Sequence, residues 1–239
     1  MLRASCRQAK TLSFLLSVRC FSSALHVAVI TGTTRQEGPP TPVIGPRVAQ
    51  MMVRRLEERG NQVSLVDPRD LQLPLLNKPA FAYSKSQIPD QLRDLQDTLQ
   101  AADAYVAITP EYNHAPSPAL LNVLNHFGSS VFSYKPSAII SYSAGQWGGS
   151  RAAVALRPVL SELGCLPVSA MIHVPNAATT LDEEGFAEDQ ERWNKYLDRC
   201  VSQLEWWAAA TKQHRAVVDP FARSPAFRTT PTERDAPKT

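Results

Sequence analysis

Runs of β-branched and apolar residues alternate along this chain with stretches whose apolar positions recur every three to four residues. Leu25 to Thr31 is a continuous apolar run closed by Gly32, the pattern of a strand buried on both faces. Arg47 to Arg59 carries Val48, Met51, Met52 and Leu56 on one helical face and stops at Gly60. Gln62–Val66 reads as a second strand, and residues 88–99 as a helix through Ile88, Leu92, Leu95 and Leu99. The alternation continues with a strand at Ala104–Ile108, a helix at Pro118–Phe127, a strand at Ser137–Tyr142 and a helix at Gly149–Leu163. It closes with a strand at Pro167–Val174 and a long helix at Gln190–Thr211. Strands alternating with helices predict an α/β domain, a three-layer sandwich around a five-stranded parallel sheet with right-handed crossovers. No internal repeat or second domain is visible.

Composition narrows the function. The net charge is +3, but residues 1–24 hold four basic side chains and no acid, and residues 213–239 hold five basic and three acidic ones. The span 25–212 is left with 16 basic and 19 acidic residues, a weakly acidic body with no phosphate-tracking surface. Nucleic acid is therefore not an expected partner, and no apolar run is long enough for a membrane span. The 1–24 segment, with Arg3, Arg7, Lys10, Arg19 and several Ser and Thr, has the composition of a mitochondrial transit peptide. A secretory signal fits less well, because Ser13 and Ser17 interrupt its apolar stretch; a plain extension on a cytoplasmic protein is the remaining alternative. Pro220, Pro225, Pro231 and Pro237 punctuate a polar C-terminal segment, and 213–239 is expected to be a disordered tail. Beyond the leader only Cys165 and Cys200 remain, with no C-x-x-C pair, zinc spacing or glycosylation sequon, as suits buried thiols in a reducing compartment.

Ligands of such sheets sit beyond the carboxyl ends of the strands, so three loops carry the candidate chemistry. The first, Gly32-Thr33-Thr34-Arg35, offers hydroxyls, a guanidinium and backbone N–H groups ahead of a helix, an anion cradle suited to a monophosphate. It is neither G-x-G-x-x-G nor a P-loop, and alone it also fits an ordinary βα turn. The second, Thr109 to Pro118, is stiffened by prolines and presents Tyr112 beside Asn113, a surface for a flat heteroaromatic ring or simply a Pro-rich turn around a core Tyr. The third, Ser143 to Gly149, places three glycines after a buried strand, where consecutive N–H groups can meet a ligand edge. Trp147 within it covers either a ring or a surface groove. His114, His126 and His173 read as structural, and no acid–base pair or metal cluster is evident, so no catalytic side chain is assigned.

Together, G-T-T-R, TPEYN before a helix, and SAGQWGG resemble the NADPH-dependent FMN reductase family over about residues 25–200. The resemblance implies a flavodoxin-like fold, bound FMN, NADPH or NADH as co-substrate, and a quinone or flavin as acceptor. It implies a phosphate turn at Thr33, Thr34 and Arg35, and a segment along the isoalloxazine at Pro110, Glu111, Tyr112 and Asn113. Ser143, Gly145, Gly148 and Gly149 would face the pyrimidine side of the ring. A homodimer or homotetramer is implied as well, although Leu121 and Asn125 depart from the family's usual Lys and Asp on the helix that often builds the dimer. A flavodoxin-like electron carrier and a flavin-free scaffold are the rival readings.

Overall fold

The computed structural model describes residues 24–39, 43–71 and 73–223; the leader and the end of the tail lie outside them. In chain order the elements are β1 (His26–Thr31), α1 (Ile44–Glu58), β2 (Gln62–Val66), α2 (Asp90–Ala101), β3 (Ala104–Tyr112), β4 (Ala115–Pro116), α3 (Pro118–Asn125) and α4 (Ser129–Phe132). They continue with β5 (Pro136–Tyr142), α5 (Ser150–Glu162), β6 (Leu166–Pro167), β7 (Ile172–Val174), α6 (Ala177–Thr180), α7 (Gln190–Val217) and α8 (Pro220–Arg223). The sheet runs β2-β1-β3-β5, with β6 and β7 both pairing along the outer edge of β5. All of these pairings are parallel. Chain order reverses at β1, and the crevice between β1 and β3 is where such a sheet opens toward a ligand.

Strand periodicity sorts the core into two layers. Val27 and Val29 of β1 point toward α1 and α7, while Ala28 and Ile30 point toward α2, α3 and α5. Each layer is a continuous apolar cluster with side chains under a tenth exposed, so both faces of the sheet are dry.

The structure departs from the sequence pattern in four places. α1 begins at Ile44, three residues early, because Pro46 is tolerated in a first turn where its missing N–H has no intrahelical partner. The strand expected at 104–108 extends to Tyr112 and folds back through β4, with Asn113 and His114 both at positive φ in a two-residue turn. The fifth strand, expected unbroken over 167–174, is interrupted. Pro136 pairs with Leu166 but Ile140 with Ile172, so the outer strand carries two extra residues between its ends. Arg157 donates to the carbonyls of Pro167 and Val168, and Gln203 accepts from the Ala170 N–H, restoring partners that the interrupted ladder leaves open. Finally, α7 continues through Val217 and is followed by α8, so the ordered domain runs past 212 into the segment expected to be tail. Lys212 and Arg215 pair with Asp103, which anchors the last turns of α7 to the sheet. Both Cys165 and Cys200 are buried free thiols, and burial pushes each up to about 12, far from reactive.

Candidate functional site

Gly32 lets β1 end in close contact with the next layer. A Cβ there would sit 2.6 Å from Ser117 Oγ and 2.8 Å from the Ile108 carbonyl oxygen. Ser117 is itself fixed, its N–H donating to Thr109 Oγ1 and its hydroxyl accepting from the Leu120 N–H as the cap of α3. The turn that follows therefore starts from a rigid point. Thr33 is buried, its hydroxyl accepts the Arg35 N–H at 3.1 Å, and the Arg35 guanidinium donates to the Pro39 carbonyl at 2.7 Å. Tyr142, at the end of β5, also hydrogen-bonds Thr33; burial pushes its phenol well above the ordinary range, so it stays neutral.

The N-terminus of α1 opens onto this turn. It has no side-chain cap and no acid in its first turn, so the positive end of the helix dipole is left uncompensated by the helix itself. Gly45 is the close-approach point. A Cβ there would collide with Thr33 Cγ2 and lie 2.9 Å from the Tyr142 hydroxyl, so only glycine lets the helix pack this closely on the turn. A narrow cleft of about 170 Å³ lies here, bounded by Thr33 and Arg35, by Ile44 and Gly45, by Pro110 to Tyr112, and by Tyr142 to Ala144.

Six of the eleven candidate residues thus meet around one cleft: Thr33, Arg35, Pro110, Glu111, Tyr112 and Ser143. Thr34, Asn113, Gly145, Gly148 and Gly149 are not among its lining side chains. Glu111 is committed elsewhere. Its carboxylate accepts the N–H groups of Arg151 and Ala152 and the Arg151 guanidinium, capping α5. Burial raises its pKa, but the Ala152 N–H and the Arg151 contacts outweigh that and hold it below the ordinary carboxylate range. It is an anion under working conditions and carries no proton to give.

Gly148 and Gly149 shape the third loop rather than line the cleft, both at positive φ. A Cβ on Gly149 would press on Ser141 and Tyr142 at 3.0 Å. Ser141 Oγ donates to the Gly148 carbonyl and lies 2.8 Å from His173 Nδ1. Because the hydroxyl has one proton, it accepts from His173 Nδ1–H, which leaves Nε2 with its lone pair. Burial lowers the His173 pKa and keeps the ring neutral. The sequence reading placed a helix N-terminus behind the first loop, although starting it at Arg47 and not Ile44, and it missed Tyr142.

Among the described residues there is no group of three or more metal-ligating side chains and no helix long and apolar enough to cross a membrane. Comparison with known proteins gives a consistent result. The family model for NADPH-dependent FMN reductases matches residues 25–179. A quinone reductase of Pseudomonas putida strain KT2440 is 28% identical over 202 residues, covering 82% of this chain and 100% of that protein. An NADPH azoreductase of Bacillus sp. strain OY1-2 is 31% identical over 128 residues, 54% of this chain and 64% of that protein. Among solved structures, FerB, a flavoenzyme NAD(P)H:(acceptor) oxidoreductase from Paracoccus denitrificans, shares the fold with a TM-score of 0.61 at 21% identity, covering 80% of this chain and 99% of that one.

Proposed function

The chain belongs to the NADPH-dependent FMN reductase family, and from that premise we propose that it is an NAD(P)H-dependent oxidoreductase holding FMN at the β1–β3–β5 end of its flavodoxin-like sheet. The observation that carries this reading is the cleft at Gly45, where an uncapped helix N-terminus, a buried Thr and an exposed guanidinium converge and only glycine lets helix and turn pack this closely. That donor set suits a terminal phosphate.

In this reading the amides of the first turn of α1 and the side chains of Thr33 and Arg35 hold the phosphate, and Thr34 adds its backbone. Pro110 to Tyr112 run along the ring, with Tyr112 as the aromatic surface and Asn113 holding the hairpin turn beside it. Ser143 and the backbone of the 143–149 loop meet the pyrimidine edge, with Gly145, Gly148 and Gly149 giving that backbone its shape. Bound FMN supplies the redox chemistry, so that NAD(P)H, a proton and a quinone become NAD(P)⁺ and hydroquinone. The protein's part is to bind and orient both partners and to aim N–H groups where negative charge develops. With Glu111 locked as a helix cap and His173 neutral, no side-chain acid is needed in the site.

The test is the absorption spectrum of purified protein under argon. A bound flavin spectrum that bleaches on adding NADH or NADPH, and returns on adding a benzoquinone, supports the reading. Protein that takes up no FMN overturns it. We further propose a homodimer or homotetramer, checked by light scattering of the eluted protein. Residues 1–24 as a mitochondrial leader are checked by fusing that segment to a fluorescent protein; diffuse cytoplasmic fluorescence would discard it.

A further inference from the structure

A second, wider cleft of about 730 Å³ lies against the other side of the 143–149 loop. Ser143 and Ala144 line the narrow cleft, while Gln146 and Trp147 line the wide one, so one loop forms a wall of each. The residues between span about 10 Å at most in extended chain. The two clefts are therefore neighbours across one loop, within the reach of a dinucleotide.

The lining of the wide cleft has a composition of its own. Trp147 is 60% exposed there, and α7 contributes Trp193 and Tyr196, whose rings meet edge to face at 5.6 Å. His173 lies in the same lining with its Nε2 lone pair unspent in the Ser141 network. Two charged groups complete it. Arg192 is exposed, and among the described residues its guanidinium makes no ion pair, unlike those of Arg55, Arg59, Arg69 and Arg151. Glu188 is likewise exposed beside it, whereas neighbouring Asp189 is occupied in capping α7 through the Arg192 N–H.

We propose that this cleft is the subsite for the adenylate half of the pyridine nucleotide, with the purine against Trp147 and a phosphate on Arg192. The proposal rests on the FMN reductase reading above, with the nicotinamide stacked on the ring held at the narrow cleft. The chemistry matches group by group. Aromatic faces stack a purine, an imidazole lone pair accepts from its exocyclic amine, a carboxylate accepts from ribose hydroxyls, and a guanidinium pairs with phosphate. Two phosphates of the nucleotide qualify for Arg192, the pyrophosphate and the 2′-phosphate that NADPH alone carries, and they are separable.

The experiment is anaerobic stopped-flow reduction of the flavin-loaded protein by NADH and by NADPH, in wild type, Trp147→Ala and Arg192→Gln. Both replaced side chains are exposed, so the fold is kept, and reduction by dithionite serves as the control. Trp147→Ala raises the apparent Kd for both nucleotides about tenfold, the size of one lost base–aromatic stack, with the limiting rate retained. Arg192→Gln raises the Kd about tenfold for NADPH alone if it meets the 2′-phosphate, or for both nucleotides if it meets the pyrophosphate. Either result supports the subsite. Wild-type affinity for both nucleotides in both variants overturns it, as does a change of oligomeric mass in Trp147→Ala without any change in nucleotide affinity. Calorimetry of ADP-ribose with the flavin-free protein, in wild type against Trp147→Ala, reads the cleft independently, because only binding in the wide cleft is lost with the indole. Binding there by a protein that takes up no FMN would sink the flavin reading and leave the cleft standing, and no binding by a flavin-loaded, NADH-reducible protein would do the reverse.

Discussion

The two ends of the sheet are built on opposite plans. At the amino end, the buried charged groups Asp103 and Lys135 are consumed by the chain itself. Asp103, just before β3, accepts the His26 N–H and pairs with Lys212 at 2.7 Å and Arg215 at 3.6 Å, tying α7 to the sheet. Lys135, just before β5, is buried and spends its three protons on the carbonyls of Leu99 and Gln100 and on the Tyr105 hydroxyl. The one proton of that hydroxyl has the Leu99 and Val131 carbonyls as acceptors, each at 2.9 Å. At the carboxyl end, α1 starts without a side-chain cap, and Tyr112 and Trp147 stand partly in solvent. The contrast assigns stability to one end and ligand contact to the other: loops can be shaped for a ligand where a rigid far end already holds the elements together.

If the ends are separate in this way, substitutions should divide their effects. Gly45→Ala should have the largest effect on the ligand end, because its Cβ would force Thr33 and Tyr142 aside; FMN affinity should fall about 100-fold, measured by flavin fluorescence, alongside a loss of stability of about 1–3 kcal/mol. Asp103→Ala should do the reverse, costing about 2–3 kcal/mol in urea denaturation while FMN affinity stays within about twofold. The figure is at the low end because Lys212 is partly exposed.

Lys135 sharpens the comparison through pH. Burial, then the nearby Arg215, lowers its pKa to about 8. Between that value and the ordinary lysine range near 10.4, the unfolded chain holds a proton that the folded chain has shed, so stability rises with pH across this window. Relative to Lys135→Met, wild type should gain about 2 kcal/mol as pH goes from 8 to 10, and a flat difference would show that the ammonium is not strained there. The smallest effect belongs to Arg35→Ala. Arg35 is exposed and bonded to the Pro39 carbonyl, so its loss should weaken FMN about tenfold and leave the melting curve in place. Unchanged flavin occupancy would remove Arg35 from the phosphate contact.

The same division explains what the sequence reveals. Strands and helices were legible because their apolar periodicity is local, and Val27, Val29, Ala28 and Ile30 already sort into two faces by alternation. The three loops were legible as ligand loops because their hydroxyls, prolines and glycines follow buried strands directly. The ionic clamp was not, since Asp103 and Lys212 are 109 positions apart and each is an ordinary surface residue to any local pattern. The same holds for Glu111, read as part of the ring-binding segment, whose partners at Arg151 and Ala152 lie 40 residues on. The hairpin at Asn113–His114 escaped for a different reason. A turn of this geometry favours Gly at its second position, and His gives no such signal. The interruption of the fifth strand by two residues is set by pairing with β5 at both ends, which composition does not encode.

The measurement that bears most directly on the central claim is a paired one, FMN titration and urea denaturation of the same preparations of wild type, Gly45→Ala and Asp103→Ala. A loss of flavin affinity confined to Gly45→Ala, with Asp103→Ala losing unfolding free energy at wild-type flavin affinity, is the predicted result. Equal FMN affinity in wild type and Gly45→Ala would contradict the assignment of the phosphate to the cradle between α1 and Thr33.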